Sequence, residues 1–250
     1  MAGAVYPSLK DKVVLVTGGG SGIGASIVRN FAAQGSKVGF LDIAIEPSKA
    51  LAAELGRFVH FERCDLKDID DLKRAIAAVR AKLGPIRILI NNAANDQRHT
   101  IDEVTSAYWD DRIAVNLKHQ FFAAQAVYKD MQAAGGGTIV NLGSVSWVIG
   151  QGGMPCYTTA KSAVQGLTRA LARDLGVHNI RVNSILPGWI MTERQITMWL
   201  TPAGEKELME RQCIKRKLVP DDIARVVLFF ASDDSGACTN QNYIADGGWV

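Results

Sequence analysis

Short apolar runs alternate with amphipathic stretches along nearly the whole chain. Residues 12–17 form a brief β-branched run that stops at a glycine cluster, the pattern of a strand buried on both faces. Beyond Thr17-Gly18-Gly19-Gly20-Ser21-Gly22-Ile23-Gly24, the apolar positions Ile23, Ile27, Val28 and Phe31 recur at helical spacing until Gly35 ends them. The same alternation predicts further strands over 37–41, 58–61, 86–90, 138–142, 180–185 and 243–245. Between them it predicts helices over 47–55, 68–83, 106–133, 157–175 and 220–230. The 106–133 helix carries an apolar stripe through Trp109, Ile113, Leu117, Phe121 and Ala124 and is closed by Gly135-Gly136-Gly137. Strand–helix alternation of this kind implies a parallel sheet with helices on both faces, because right-handed crossovers leave few other topologies. The expected fold is α/β: a single-domain, doubly wound Rossmann fold over residues 1–250, with a seven-stranded parallel sheet. Residues 192–217 break the rhythm with charges, methionines, Pro202 and Gly204, and are the candidate lid over a substrate.

Composition narrows the classes. With 250 residues, 48% of them apolar, the chain can bury a full core, and no linker or low-complexity tract divides it. The net charge of +3 comes from scattered lysines and arginines without a basic run, so no nucleic acid is expected as a partner. The first twelve residues lack an apolar leader-like stretch, and runs such as 226–231 are too short to cross a bilayer. A soluble, cytoplasmic protein with no membrane partner is expected. The four cysteines and four histidines show neither paired metal spacing nor a disulfide framework, so no metal is expected. Cys156, beside Tyr157, reads as a filler near a pocket, since no histidine base adjoins it in sequence.

The candidate chemistry begins at the glycine turn. Gly18, Gly22 and Gly24, with Ser21 and Ile23 between them, allow a tight turn and bring backbone N–H groups to a helix N-terminus, where a pyrophosphate is favoured. The spacing is Gly-x-x-x-Gly-x-Gly rather than G-x-G-x-x-G. Asp42, about twenty residues on at the end of the second strand, either accepts hydrogen bonds from ribose hydroxyls or merely opens a polar loop. As a ribose ligand it would repel a 2′-phosphate. No cation stands at Gly20, Ser21 or Ile43 to neutralise one, which favours NAD over NADP. Asp65, after the third strand, can similarly reach an adenine amino group.

Tyr157 and Lys161 lie four apart, hence on one face of the predicted helix. A phenol titrating near ~10 is a poor base at neutral pH unless a nearby cation stabilises the phenolate. Lys161 is expected to lower the Tyr157 pKa in this way. Ser144, at the mouth of the fifth strand, can donate to a substrate oxygen.

Taken together, Thr17 to Gly24, Asp42, Cys64-Asp65-Leu66, Asn91-Asn92-Ala93-Ala94, Asn116, Ser144, Tyr157 with Lys161, Pro187-Gly188 through Thr192, and Asp246-Gly247-Gly248 resemble the short-chain dehydrogenase/reductase family over essentially the whole chain. The resemblance implies catalytic roles for Asn116, Ser144, Tyr157 and Lys161, with Asn116 ordering a water for proton relay and Lys161 also binding the nicotinamide ribose. It implies that Leu66, Asn92, Ala93, Pro187, Ile190 and Thr192 join the NAD site. Ala94 stands where the family usually has glycine and is expected to crowd the loop slightly. The two long helices carry apolar residues on more than one face, and the resemblance implies a homotetramer built partly through them.

The phrases Asn95-Asp96-Gln97-Arg98-His99, Ser144-Val145-Ser146-Trp147 and the C-terminal ending are similar to the aldose 1-dehydrogenase branch, which oxidises sugars at C1 to lactones. Asn95, Ser144, Ser146, Gln151 and the apolar Met154 are then candidate pocket residues, as are Trp147 and Trp189, each of which either stacks on sugar or packs elsewhere. The expected reaction passes a hydride from C1 of a pentose or hexose to NAD. The alternatives are a reductase of 3-oxoacyl or other carbonyl substrates, disfavoured by Asp42, and a non-catalytic dinucleotide-sensing protein, disfavoured by the complete catalytic set.

Overall fold

The computed structural model describes residues 3–250, so the first two residues of the N-terminal segment considered above lie outside the described residues. Seven strands, β1 (Val13–Thr17), β2 (Lys37–Asp42), β3 (Val59–Arg63), β4 (Ile88–Asn91), β5 (Gly137–Leu142), β6 (Ile180–Pro187) and β7 (Asn242–Ala245), form one sheet in the order β3-β2-β1-β4-β5-β6-β7. Every pairing is parallel. Nine α-helices appear among the described residues: α1 (Gly22–Ala33), α2 (Ile45–Leu55), α3 (Ile69–Leu83), α4 (Ser106–Ile113), α5 (His119–Ala133), α6 (Pro155–Leu175), α7 (Glu193–Met198), α8 (Pro202–Arg211) and α9 (Pro220–Ala231).

Alternate residues of each strand feed opposite cores, as period-two side chains must. Val14 and Val16 pack with Val38, Phe40 and Ile90 under α1, α2 and α9. Val13 and Leu15 pack with Leu41 and Leu89 under α3, α5 and α6. The continuous apolar runs of β1 and β4 are fully buried for this reason. Helix ends follow local chemistry: Asp68 Oδ1 accepts from the N–H groups of Asp70 and Asp71 to start α3, and Gly84, with φ of 101°, ends it.

One expectation is corrected. The 106–133 stretch is not one α-helix, because Ala114–Lys118 forms a π-helical turn between α4 and α5. Such turns insert an extra residue and recur at functional sites. Here the turn contains buried Asn116, whose amide bonds chain outside the helix. The candidate lid segment holds α7 and α8, each started by a threonine cap, Thr192 and Thr201. The remaining element ends moved by one or two residues.

The sheet order reverses between β1 and β4, so the connections from these two strands leave on opposite sides and open a crevice at their carboxyl ends. The stability of that crevice rests on α1, whose Phe31 is completely buried between the sheet and α9. Phe31→Ala should therefore lower the unfolding free energy by about 3–5 kcal/mol, measured by urea denaturation. A loss under about 1 kcal/mol would show that this core does not carry α1.

Candidate active site

The crevice forms where backbone replaces side chains. A Cβ on Gly24 would lie 1.8 Å from Gly18 O, and one on Gly18, itself at φ +67°, would lie 2.7 Å from Ala93 Cα. Only glycine permits this approach. The seam is then sewn by polar groups. Thr17 Oγ1 accepts from the N–H groups of Asn92 and Ala93 at 3.1 and 3.2 Å. Asn92 Nδ2 donates to the carbonyls of Thr17 and Gly18 at 3.0 and 2.9 Å.

Beside the seam lies a cavity of about 780 Å³. It is lined by Gly18, Ser21, Gly22, Ile23, Gly24, Asp42, Asp65, Leu66, Asn92, Ala93, Tyr157 and Thr192, which brings together twelve of the fifteen sequence-predicted cofactor residues. The other three, Lys161, Pro187 and Ile190, line an adjoining cavity of about 490 Å³. Ser21 caps α1 without a side-chain bond, leaving first-turn N–H groups of α1 for an anion. The Asp42 carboxylate is held by the N–H of Gly20 at 2.8 Å and of Ala44 at 2.9 Å. A Cβ at position 20 would meet Ser48 Oγ at 2.4 Å and Asp42 Oδ2 at 2.9 Å, which leaves no room for a cationic side chain there. A glycine cradle, a helix N-terminus and a fixed carboxylate fit a dinucleotide. Ala94 lines both cavities with an exposed side chain and no positive φ, so alanine fits this position without strain and the expected crowding is absent.

In the smaller cavity the catalytic candidates meet. Ser144, Tyr157 and Lys161 line it, and Tyr157 lines the larger cavity too. A buried polar ladder holds this arrangement: Asn91 Nδ2 donates to Asn141 Oδ1 at 2.9 Å, and Asn141 Nδ2 donates to Thr168 Oγ1 of α6 at 3.0 Å. Ser144 Oγ accepts from the N–H of Ser146 at 3.1 Å, which leaves its own proton for another partner. Lys161 is almost fully buried beneath Tyr157, 5.8 Å from the ring centroid, and its Nζ donates to Leu142 O at 2.7 Å.

The electrostatics differ from expectation. Burial pushes the Tyr157 phenol up to about 12, against a hydrogen bond with Ser144 and the charge of Arg98, both of which lower it, while Asp96 raises it further. Burial likewise pushes the Lys161 ammonium down to about 7, with Asp96 opposing. The predicted lowering of the phenol by Lys161 is thus not found in this arrangement, because desolvation of both groups outweighs their proximity.

Asn116, completely buried, lines neither cavity. Its Oδ1 accepts from Asn95 N–H at 2.8 Å, while its Nδ2 donates to Asn95 O at 3.1 Å and Arg112 O at 2.9 Å. Its side chain therefore braces the loop after β4. Of the sugar-pocket candidates, Ser144, Ser146, Gln151, Met154 and Trp189 line the smaller cavity. Asn95 and Trp147 do not. Asn95 lies at the larger cavity with Oδ1 accepting from Gln97 N–H, and Trp147 follows Ser146 on a 3₁₀ turn that turns successive side chains about 120° apart.

Sequence reasoning missed Asp96, Arg98, Gln195, Trp199, Glu207, Arg211 and Trp249, all of which line the smaller cavity. Their signal lay in the lid segment and in the phrases around Asn95 and Trp249, yet no spacing rule marks them. His119 was also missed. It is buried behind the site with Nε2 3.3 Å from Ala93 O, and burial, then the charge of Lys161, push it down to about 3.

Sheet order, glycine cradle and the Ser144/Tyr157/Lys161 cluster define a dinucleotide-dependent oxidoreductase, and a family model described as enoyl-(acyl carrier protein) reductase matches residues 18–250. The chain belongs to this short-chain dehydrogenase/reductase family and is an oxidoreductase acting on CH–OH groups. Among curated relatives, the D-xylose 1-dehydrogenase of Caulobacter vibrioides is 50% identical over 252 residues, covering 100% of both chains. The "Probable galactose dehydrogenase GalD" of Rhizobium meliloti is 50% identical, covering 97% of this chain and 96% of its own. The D-threitol dehydrogenase of Mycolicibacterium smegmatis is 36% identical over 97% and 94% of the two chains. A solved structure from Sinorhizobium meliloti 1021, described as a short-chain alcohol dehydrogenase, superposes with a TM-score of 0.91 at 32% identity, covering 97% of this chain and 98% of its own.

The buried His119 predicts how stability depends on pH. Its pKa is about 6.5 as a free group and about 3 when folded, so between these values the unfolded chain binds the extra proton and stability falls as pH falls. Going from pH 7 to pH 5, this residue should remove about 2 kcal/mol, and His119→Gln should flatten the fall by that amount in chemical denaturation. Equal slopes for both proteins would contradict a buried neutral ring.

Proposed function

We propose that the chain is an NAD-linked aldose 1-dehydrogenase that oxidises the anomeric carbon of a pentose or hexose to the lactone. The observation that carries this reading is the junction of two cavities at Tyr157: one fits a dinucleotide, and the other, lined by Asp96, Ser146, Gln151, Gln195 and Glu207, offers the hydrogen-bonding groups a polyol needs. Two relatives, each half-identical in sequence over at least 96% of its length, carry sugar names. An NADPH-linked acyl-chain reductase fits less well, since Asp42 disfavours a 2′-phosphate.

Tyr157 takes the proton of the C1 hydroxyl, and the Ser144 hydroxyl beside it orients that oxygen. When bound, NAD supplies a cationic ring that accepts the hydride. Asp42 would hold the adenosine ribose, Asp65 and Leu66 the adenine side, and Ile190 and Thr192 the nicotinamide half. Lys161, anchored by Leu142 O, fixes the floor below Tyr157 and is the group placed to meet the nicotinamide ribose. Asn116 serves through the loop it braces. Trp109 and Phe121 stay about 40% exposed on α4 and α5, and we assign these faces to partner copies in a homotetramer. No described helix is long and apolar enough to cross a membrane, which is consistent with the cytoplasmic setting proposed here.

A panel of aldoses with both cofactors tests the reading. At least one pentose or hexose should reduce NAD in preference to NADP, and Tyr157→Phe should lower kcat by about 10²–10⁴-fold. Turnover of other alcohols with no aldose oxidised would overturn the sugar assignment, and undiminished activity of the variant would overturn the role of Tyr157.

A further inference from the structure

Asp96 belongs to none of the residue sets a short-chain dehydrogenase needs for nucleotide binding or proton transfer, yet it lines both cavities where they meet. Both of its carboxylate oxygens are taken by the lid. Arg194 Nε donates to Oδ1 at 3.0 Å and Gln195 Nε2 donates to Oδ2 at 2.6 Å. Gln195 passes the contact on, because its Oε1 accepts from Trp189 Nε1 at 2.9 Å. Trp189 in turn reaches α8, where it packs closely over Gly204: a Cβ there would lie 3.1 Å from Trp189 Cη2. One hydrogen-bonded relay therefore runs from the loop after β4, through α7, to a wall of the smaller cavity and α8. A second crossing contact, Arg98 above Trp199 at 5.2 Å, joins the same loop to the end of α7.

We infer that Asp96 is a positioning residue for sugar oxidation, fastening the lid across the junction of the two cavities and setting Trp189 through Gln195. The inference rests on the proposed aldose activity for its main readout. Charge-assisted bonds at this separation are strong and directional, so losing one loosens the whole relay rather than one side chain. The relay also makes a specific demand on chemistry: each N–H must face an oxygen. Gln195→Glu breaks the demand by setting two carboxylates together. Combining it with Asp96→Asn restores the match, since the new amide can donate to the new carboxylate and still accept from Arg194.

The test is a four-member cycle of wild type, Asp96→Asn, Gln195→Glu and the swapped pair, followed by steady-state kinetics and by NADH binding through fluorescence. Gln195→Glu should raise the sugar KM about tenfold with kcat within about threefold, and the swapped pair should return to within about threefold of wild type in kcat/KM. A swapped pair no better than Gln195→Glu, or losses that simply multiply, overturns the inference. If Gln195→Glu does not fold, Gln195→Met replaces it: a raised sugar KM that Asp96→Asn worsens no further supports the relay, and independent losses overturn it. If wild type oxidises no aldose, the sugar reading falls, and the same cycle is read from the NADH Kd, where recovery in the swapped pair decides the relay alone.

Discussion

The site depends on one close contact of backbone with backbone, between the carboxyl ends of β1 and β4. No side chain fits between Gly24 and Gly18, and Gly18 presses on Ala93. That approach lets Thr17 and Asn92 bond across the two strand ends, and it turns the chain out of β4 along the crevice wall. The glycine turn, the Asp42 carboxylate and the loop after β4 all take their positions from it. A methyl group at position 18 would separate the two strand ends, and one at position 24 would drive α1 off the end of β1.

From the seam, the loop after β4 distributes order to several parts of the site. Asn95 is gripped by the amide of Asn116, and Asp96 holds α7. His99 accepts from the N–H of Cys156, at the start of the helix that carries Tyr157. The nucleotide cradle, the proton-transfer helix and the lid are thus three clients of one short segment. The π-helical turn has a role in this frame: it places Asn116 where both of its amide atoms meet the loop instead of solvent. Burial then sets the charges. Tyr157 and Lys161 are both driven towards their neutral forms by desolvation.

Much of this was legible in the chain because it rests on local constraints. The alternation of apolar runs and amphipathic stretches yields the sheet and its layers, since burial on both faces demands β-branched runs such as Val13–Thr17. Gly18, Gly22 and Gly24 declare a backbone approach, and the four-residue spacing of Tyr157 and Lys161 declares a shared helix face. What was not legible depends on partners distant in sequence. Asp96 and Gln195 lie 99 positions apart, and no periodicity pairs them. The bond from Lys161 to Leu142 O is equally a product of packing. Trp147 and Ser146 are neighbours in sequence, yet only Ser146 lines the cavity, because a 3₁₀ turn follows Ser144. The π-helical turn has the same composition as an ordinary helix, and only the demands of the adjoining loop reveal it.

Hydride departure from the anomeric carbon, with Tyr157 receiving the hydroxyl proton, is the claim on which the function turns. An aldose deuterated at C1, oxidised by the wild-type protein with unlabelled NAD, tests it most directly. Deuterium should appear at C4 of the resulting NADH, and turnover of the labelled sugar should be slower than that of the unlabelled one. NADH formed without deuterium would place the oxidation at another carbon and contradict C1 chemistry.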